Sequence, residues 1–143
     1  MADLEGKGQF NPPVAGDWFG YELIKYSECS RWLVTQLHPA GMLCPSCSVD
    51  MASIGRQHEI ERRREHWQAL EQVRCPACGK KFTAATGTII DGSKLEAREI
   101  YLLAVLLWLD VPARRIAEVL RIHPDTVRNW QLKFQAQAEV ASV

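Results

Sequence analysis

The sequence predicts a small α+β fold with two parts, a cysteine-rich ribbon carrying a helical insertion and a three-helix domain after it. Three observations carry this prediction. Two C-x-x-C pairs lie 27 residues apart, several segments have the apolar spacing of helices, and a short turn near the C-terminus joins two of those segments. With 143 residues, of which 47% are apolar, the chain has enough apolar side chains for a hydrophobic core.

We divide the chain into an N-terminal segment (1–20), a helix with the ribbon (21–92) and a final helical domain (93–143). The N-terminal segment contains several glycines and prolines, which predicts a flexible lead-in. We expect Trp18, Phe19 and Tyr21 to fix its end by packing.

Charge is balanced overall, with 17 basic and 17 acidic residues, but it is unevenly distributed. Residues 1–55 hold three basic and six acidic groups, whereas 56–81 hold seven basic and four acidic groups. The longest apolar run, from Tyr101 to Leu109, is far shorter than the roughly 20 residues of a membrane span. No secretory signal is recognisable, so we expect a cytoplasmic protein.

The strongest chemical signal is a set of four paired cysteines: Cys44, Cys47, Cys75 and Cys78. Each C-x-x-C turn brings two sulfurs together, and Zn2+ accepts four such ligands tetrahedrally at about 2.3 Å. We therefore predict a zinc ribbon with four cysteine ligands. Four protein ligands leave no position for water or substrate, so one structural zinc ion is expected.

Other interpretations of these cysteines are two disulfides, a redox C-x-x-C motif and an iron site. The 27-residue gap exceeds the common spacing of roughly 15 to 20 residues, which indicates an insertion between the pairs. Duplication of the motif disfavours a redox role, and the missing secretory signal disfavours disulfides. We expect the fifth cysteine, Cys29, to be a small buried apolar residue.

Two helices are predicted in the ribbon part. The first begins at Ser27, ends before the His-Pro-Ala-Gly run at 38–41 and has apolar residues along one face, namely Tyr26, Cys29, Leu33 and Leu37. The inserted segment 57–73 predicts a helix followed by a short strand. Its arginine triplet, Arg62 to Arg64, fits either a solvated face or a binding patch. Phe82-Thr83 and Gly87 to Ile90 predict a closing β-hairpin.

The final domain is predicted to begin with a helix from Lys94 to Leu109, capped by Ser93 and Glu96 at capping-box spacing. Apolar residues surround most of this helix, which implies burial on several sides or one face in a homodimer. A second helix from Pro112 to Leu120 and a third from Pro124 flank a short turn at 121–123. This is typical of a helix-turn-helix, with inward-facing Ile116, Ala117, Leu120, Ile122 and Val127.

In such a motif the exposed N-terminal part of the second helix enters the DNA major groove. Here that part carries Asp125, Thr126, Arg128 and Asn129. Arg128 has the donors for guanine and Asn129 has the groups for adenine. Phosphate contacts are expected from Arg114, Arg115, Arg121 and Lys133. The alternative is a plain helical hairpin with a solvated basic face, because Arg121 replaces the glycine usual in this turn. We expect Trp130 to lie in the core.

Across roughly residues 22–134 the chain resembles the N-terminal DNA-binding region of bacterial insertion-sequence transposases that join a zinc ribbon to a helix-turn-helix. The resemblance lies in segments 39–47, 75–82, 86–90, 93–95, 116–117 and 126–130. It implies recognition of the ends of a mobile element in a bacterial or phage-infected cell, with catalysis in a separate acidic domain. The chain departs from the family at Ser48, because a glycine commonly ends the first C-x-x-C turn, or knuckle. It also departs in the charged insertion at 48–74.

The chain ends where that catalytic domain would begin, so we expect no enzyme. The functional hypothesis is a sequence-specific duplex DNA-binding protein, either a regulator or an accessory factor derived from a transposase. The alternative is a zinc-stapled interaction module of a mobile element or phage, such as an inhibitor or adaptor, that binds a catalytic or host protein. No catalytic Ser-His-Asp set or phosphate-binding loop is recognisable.

Overall fold

A computed structural model describes residues 24–141 as a small α+β structure with five helices and a two-stranded sheet. The elements are α1 (Tyr26–Leu37), α2 (Gln57–Gln68), β1 (Val73–Arg74), β2 (Lys81–Phe82), α3 (Ala97–Trp108), α4 (Ala113–Leu120) and α5 (Pro124–Ala141). The α+β class is confirmed. The predictions for residues 1–20 and for Trp18, Phe19 and Tyr21 lie outside the described residues. Within 24–141, no helix combines the length and the apolar character needed to cross a bilayer.

Two apolar clusters form the interior. One lies among α1, α3, α4 and α5 and contains Leu103, Ile116 and Val127, all 0% exposed. The other surrounds the cysteine turns and contains Met51 and Trp67. Helix α1 contributes to both clusters, because its apolar residues face the three C-terminal helices on one side and the cysteine turns on the other. α1 therefore connects the two parts of the chain.

The sheet is a short antiparallel pair in which Val73 lies opposite Phe82 and Arg74 lies opposite Lys81. Val73 and Phe82 are buried in the cluster around the cysteine turns. Because side chains alternate between the faces of a strand, Arg74 and Lys81 share the exposed face. The short strand predicted after the inserted helix is thus present.

The predicted closing hairpin at Gly87 to Ile90 is wrong, since this segment forms consecutive turns. Polar side chains satisfy its backbone locally. The Thr88 hydroxyl donates to the Ala85 carbonyl at 2.6 Å, and an Asp91 carboxylate oxygen accepts from the Gly87 amide at 2.9 Å. Such local bonds compete with a strand ladder for the same backbone groups.

The start of α3 also differs from the prediction. Ser93 does not cap the helix; its hydroxyl oxygen accepts from the Leu95 amide at 3.1 Å within the preceding turn. The helix begins at Ala97, and Glu96 is the cap residue, with its amide donating to the Glu99 carboxylate at 3.0 Å. The capping pair is therefore Glu96 and Glu99 instead of Ser93 and Glu96, and the helix begins three residues later than predicted.

Helix α4 has the predicted bounds to within one residue, and α5 begins at the predicted Pro124. The turn between them is made by Arg121, which adopts the left-handed conformation with φ 56° and ψ 47°. The Ile122 amide closes the turn by donating to the Ala117 carbonyl at 3.1 Å. Four of the residues predicted to face inward are buried and Ile122 is partly buried. Trp130 is also buried, at 5% exposed.

Candidate metal centre and nucleic-acid interface

Both C-x-x-C turns have the same backbone structure. In each, the first cysteine donates its amide to the carbonyl five residues later, and its carbonyl accepts from the amide four residues later. The four bonds are Cys44 N to Val49 O at 3.0 Å, Ser48 N to Cys44 O at 2.9 Å, Cys75 N to Lys80 O at 2.9 Å and Gly79 N to Cys75 O at 2.9 Å. The turns are therefore equivalent knuckles, although their flanking sequences differ.

The two knuckles bring all four predicted ligands together, with every sulfur within 4.8 Å of the others. The Cys44 and Cys78 sulfurs are 3.7 Å apart, and those of Cys47 and Cys75 are 3.6 Å apart. A tetrahedron with metal–sulfur bonds of about 2.3 Å has edges of about 3.8 Å. None of the five cysteines, all in the described part of the chain, forms a disulfide. The cluster is consistent with a structural metal site.

Backbone amides stabilise the thiolates of this cluster. Two N–H groups point at the Cys44 sulfur, at 3.3 and 3.4 Å, and two point at the Cys75 sulfur, both at 3.4 Å. Burial raises the pKa of the Cys75 thiol, but the Cys78 and Ala77 amides, together with hydrogen bonds to the Cys47 and Cys44 side chains, lower this pKa to about 6. Metal binding requires deprotonated sulfur, so these amides favour the ligating form.

Three aromatic rings pack together next to the knuckles, with Trp67 and Phe82 buried and His38 half-buried. His38, which follows α1, donates from Nε2 to the Ala84 carbonyl at 2.6 Å, and its ring lies 4.7 Å from the Trp67 ring. Trp67 in turn meets Phe82 edge to face at 6.1 Å. These contacts join the end of α1 to α2 and β2 within the apolar cluster that surrounds the cysteines. The sequence carries no local signal for this role of His38, because its partner is 46 residues away.

The structure separates the members of the arginine triplet. Arg63 is a structural residue, since its Nη1 donates to the Met51 carbonyl at 2.7 Å and to the Ile54 carbonyl at 3.0 Å. It fixes the loop after the first knuckle against α2. Arg62 and Arg64 are exposed and have no hydrogen-bond or ion-pair partner within residues 24–141.

Ser48 occupies the left-handed position of the first knuckle, with φ 66°, and Gly79 occupies it in the second, with φ 79°. A left-handed conformation costs a residue with a Cβ about 1 to 2 kcal/mol. We therefore expect Ser48→Gly to stabilise the chain by up to about 1 kcal/mol in chemical denaturation, part of the gain being lost to glycine's greater freedom when unfolded. The metal content should not change.

Gly79→Ala is the matched control for Ser48→Gly. Open space surrounds the position that a Cβ would take at Gly79, so the cost of this substitution is conformational and the chain should lose about 1 to 2 kcal/mol. Destabilisation by both substitutions would show that the two turns are not equivalent knuckles.

The residues predicted to contact DNA lie on α4, the turn and the first ten residues of α5. All are exposed except Thr126, which is half-buried; the set is Arg114, Arg115, Arg121, Asp125, Thr126, Arg128, Asn129 and Lys133. Two of the cations already have partners. Arg128 donates to the Asp125 carboxylate at 2.8 Å, and the Lys133 ammonium lies 4.6 Å from the centre of the Trp130 ring. Asn129 is exposed beside Arg128 and makes no hydrogen bond to another described side chain.

His123 was not predicted to act in this region. Its ring nitrogen Nδ1 accepts from the Asp125 amide at 3.0 Å, which satisfies one of the unpaired amides at the start of α5. Histidine is not among the preferred capping residues, so the sequence gives little signal for this role.

Comparison of the chain with models of known protein families, with curated proteins and with solved structures gave no match.

Proposed function

We propose that the chain is a sequence-specific duplex DNA-binding protein, a regulator or accessory factor of transposase origin, built on a zinc-stabilised ribbon. The observation that carries the proposal is the division of α5 into two faces. Val127 and Trp130 pack into the core, whereas Arg128 and Asn129 are exposed on the first two turns. This supports assignment of α4, the turn and α5 as a helix-turn-helix with α5 in the major groove.

The Arg128 and Asp125 pair supports a reading role for α5. An exposed ion pair at i, i+3 contributes little to stability, but it restricts the guanidinium to one side of the helix. The guanidinium N–H groups that do not bond to Asp125 suit the O6 and N7 acceptors of guanine. Asn129 suits the N6 and N7 edge of adenine.

Zinc is the metal that best fits the cysteine cluster, with iron as the alternative. Four thiolates at tetrahedral spacing match zinc, which has no geometric preference of its own. Because the protein would supply all four ligands, the ion would hold structure and perform no reaction. We accordingly assign the protein a binding role and no enzymatic one.

Arg128→Ala tests the proposed base contact. In a selection on random duplexes, the wild-type chain should enrich a motif, and Arg128→Ala should lose about 1 to 3 kcal/mol of discrimination at one base pair. Arg114→Ala is the control: as a phosphate contact it should weaken binding equally on all sequences and keep the motif. Absence of any enriched motif at moderate salt would contradict the proposal.

A protein-binding role is the second candidate, and the end of α3 favours it. Trp108 is 80% exposed and Leu109 is 58% exposed, and such large apolar side chains side by side are typical of an interaction surface. The partner would be a catalytic or host protein, or a second copy of the chain. A specific partner that survives nuclease treatment, together with no motif in the selection, would favour this function over DNA binding.

A further inference from the structure

A surface recess of about 460 Å³ lies between α2 and β1, and none of the residues assigned to base reading lines it. Three guanidinium groups, two imidazoles and one carboxylate line it, from Arg62, Arg63, Arg74, His58, His66 and Glu59. We call it the α2 recess. Its arginines come from two elements of the chain, the inserted helix and the strand entering the second knuckle.

The sheet register extends this positive charge beyond the recess. Arg74 lies directly opposite Lys81, and both side chains are on the exposed face. Like charges directly opposite each other on adjacent strands destabilise a sheet. An anion that bridges Arg74 and Lys81 would therefore relieve their repulsion and stabilise the two-stranded sheet.

The positive charge of the recess is neutralised only in part by its own carboxylates. The hydrogen bonds that Arg63 and Arg74 donate end on uncharged carbonyl oxygens, with Arg74 donating to the Gly79 carbonyl at 3.1 Å. Arg62 and Lys81 have no hydrogen-bond or ion-pair partner in the described part of the chain. The lining contains one carboxylate, of Glu59, and a second carboxylate, of Glu71, contacts the lining His66 at Nδ1 at 2.6 Å, so the three guanidinium groups exceed the carboxylates.

We propose that the α2 recess and the adjoining strand face bind phosphate groups of the DNA backbone, through Arg62, Arg74 and Lys81. Guanidinium groups bind phosphates through charge-assisted hydrogen bonds, and an ammonium group adds a point charge. The site reads no bases; it adds affinity on DNA that flanks the motif bound by α5. This inference rests on the proposed function.

The test is a triple variant, Arg62→Ala with Arg74→Ala and Lys81→Ala, compared with a triple control of equal charge, Arg31→Ala with Arg64→Ala and Lys94→Ala. The control residues are exposed and lie outside the recess; Arg64 is on α2, about 200° around the helix from Arg62. Duplex affinity is measured against salt concentration, after metal content and thermal stability show that both variants are folded.

Each phosphate contact contributes about 0.9 to the slope of log affinity against log salt. The recess variant should therefore lose about 2 to 3 units of slope, while the control keeps the wild-type slope and both keep the selected motif. Shortening the duplex flank should weaken the wild-type chain and leave the recess variant unchanged. A wild-type slope in the recess variant, or an equal loss in the control, would overturn the proposal.

Two further outcomes distinguish backbone binding in the recess from sequence reading by α5 and from binding of a free anion. If the wild-type chain enriches no motif but still binds random duplex with a slope that the recess variant loses, the proposed sequence reading fails and the phosphate site stands. If inorganic phosphate alone binds the wild-type chain but not the recess variant, with duplex affinity equal in both, the recess takes a free anion and the backbone assignment is overturned.

Discussion

Replacement of Cys75 by serine is expected to unfold the ribbon part of the chain and to abolish stoichiometric metal binding. Cys75 is 1% exposed. Its sulfur accepts hydrogen bonds from two backbone amides and lies 3.6 Å from the Cys47 sulfur. In small zinc peptides the apparent free energy of binding structural zinc is about 10 to 16 kcal/mol. This equals or exceeds the free energy of unfolding of most domains. The cluster around the knuckles is too small to compensate by burial alone. The same unfolding is expected when a chelator removes the metal from the wild-type chain.

Metal content per chain and thermal unfolding measure this effect. Cys29→Ala is the matched control, because Cys29 is also a buried free thiol but packs among α1 and the C-terminal helices. It should keep one metal ion per chain. A Cys75→Ser chain with wild-type metal content and melting temperature would show that the four cysteines do not form one centre.

Trp130→Ala is expected to destabilise the C-terminal helices by about 3 to 5 kcal/mol, as truncation of a buried tryptophan leaves a large cavity. Trp130 is 5% exposed in the cluster that joins α1, α3, α4 and α5, and its ring lies 5.6 Å from that of Phe134. The substitution also removes the aromatic surface beneath the Lys133 ammonium. Chemical denaturation followed by far-ultraviolet circular dichroism measures the loss.

Trp108→Ala is the control for Trp130→Ala, since it removes the same side chain from a position that is 80% exposed. Its effect on the free energy of unfolding should stay within about 0.5 kcal/mol. Equal losses from the two substitutions would contradict the packing of α5 against the core.

The features that could be predicted from the sequence are those set by local spacing. Two C-x-x-C pairs fix two turns whatever follows them, and all four predicted sulfurs come together in the structure. Apolar periodicity likewise predicted α1 and the pair α4 and α5, because a helix that buries one face must repeat its apolar residues every three to four positions.

The errors arose where several local hydrogen-bonding solutions competed. Thr88 and Asp91 satisfy the backbone of a turn that β-branched composition predicted as a hairpin. Glu96 and Glu99 provide a helix start that displaced the one expected at Ser93. In both places the sequence contains each option, and residue spacing alone does not determine which set of local hydrogen bonds forms.

The roles of Arg63, His38 and the α2 recess depend on contacts between separate segments. Arg62 and Arg74 are 12 residues apart and belong to different elements, so their shared surface follows from how α2 packs on β1. The charge excess of residues 56–81 was visible in the sequence, but its division into a structural arginine and exposed ones was not.

X-ray absorption at the zinc edge, on chain purified without added metal, tests most directly whether one ion joins the two knuckles. We predict one zinc per chain with four sulfur ligands at about 2.3 Å. A shell containing nitrogen or oxygen ligands, or a folded chain that contains no metal, would contradict the proposed centre.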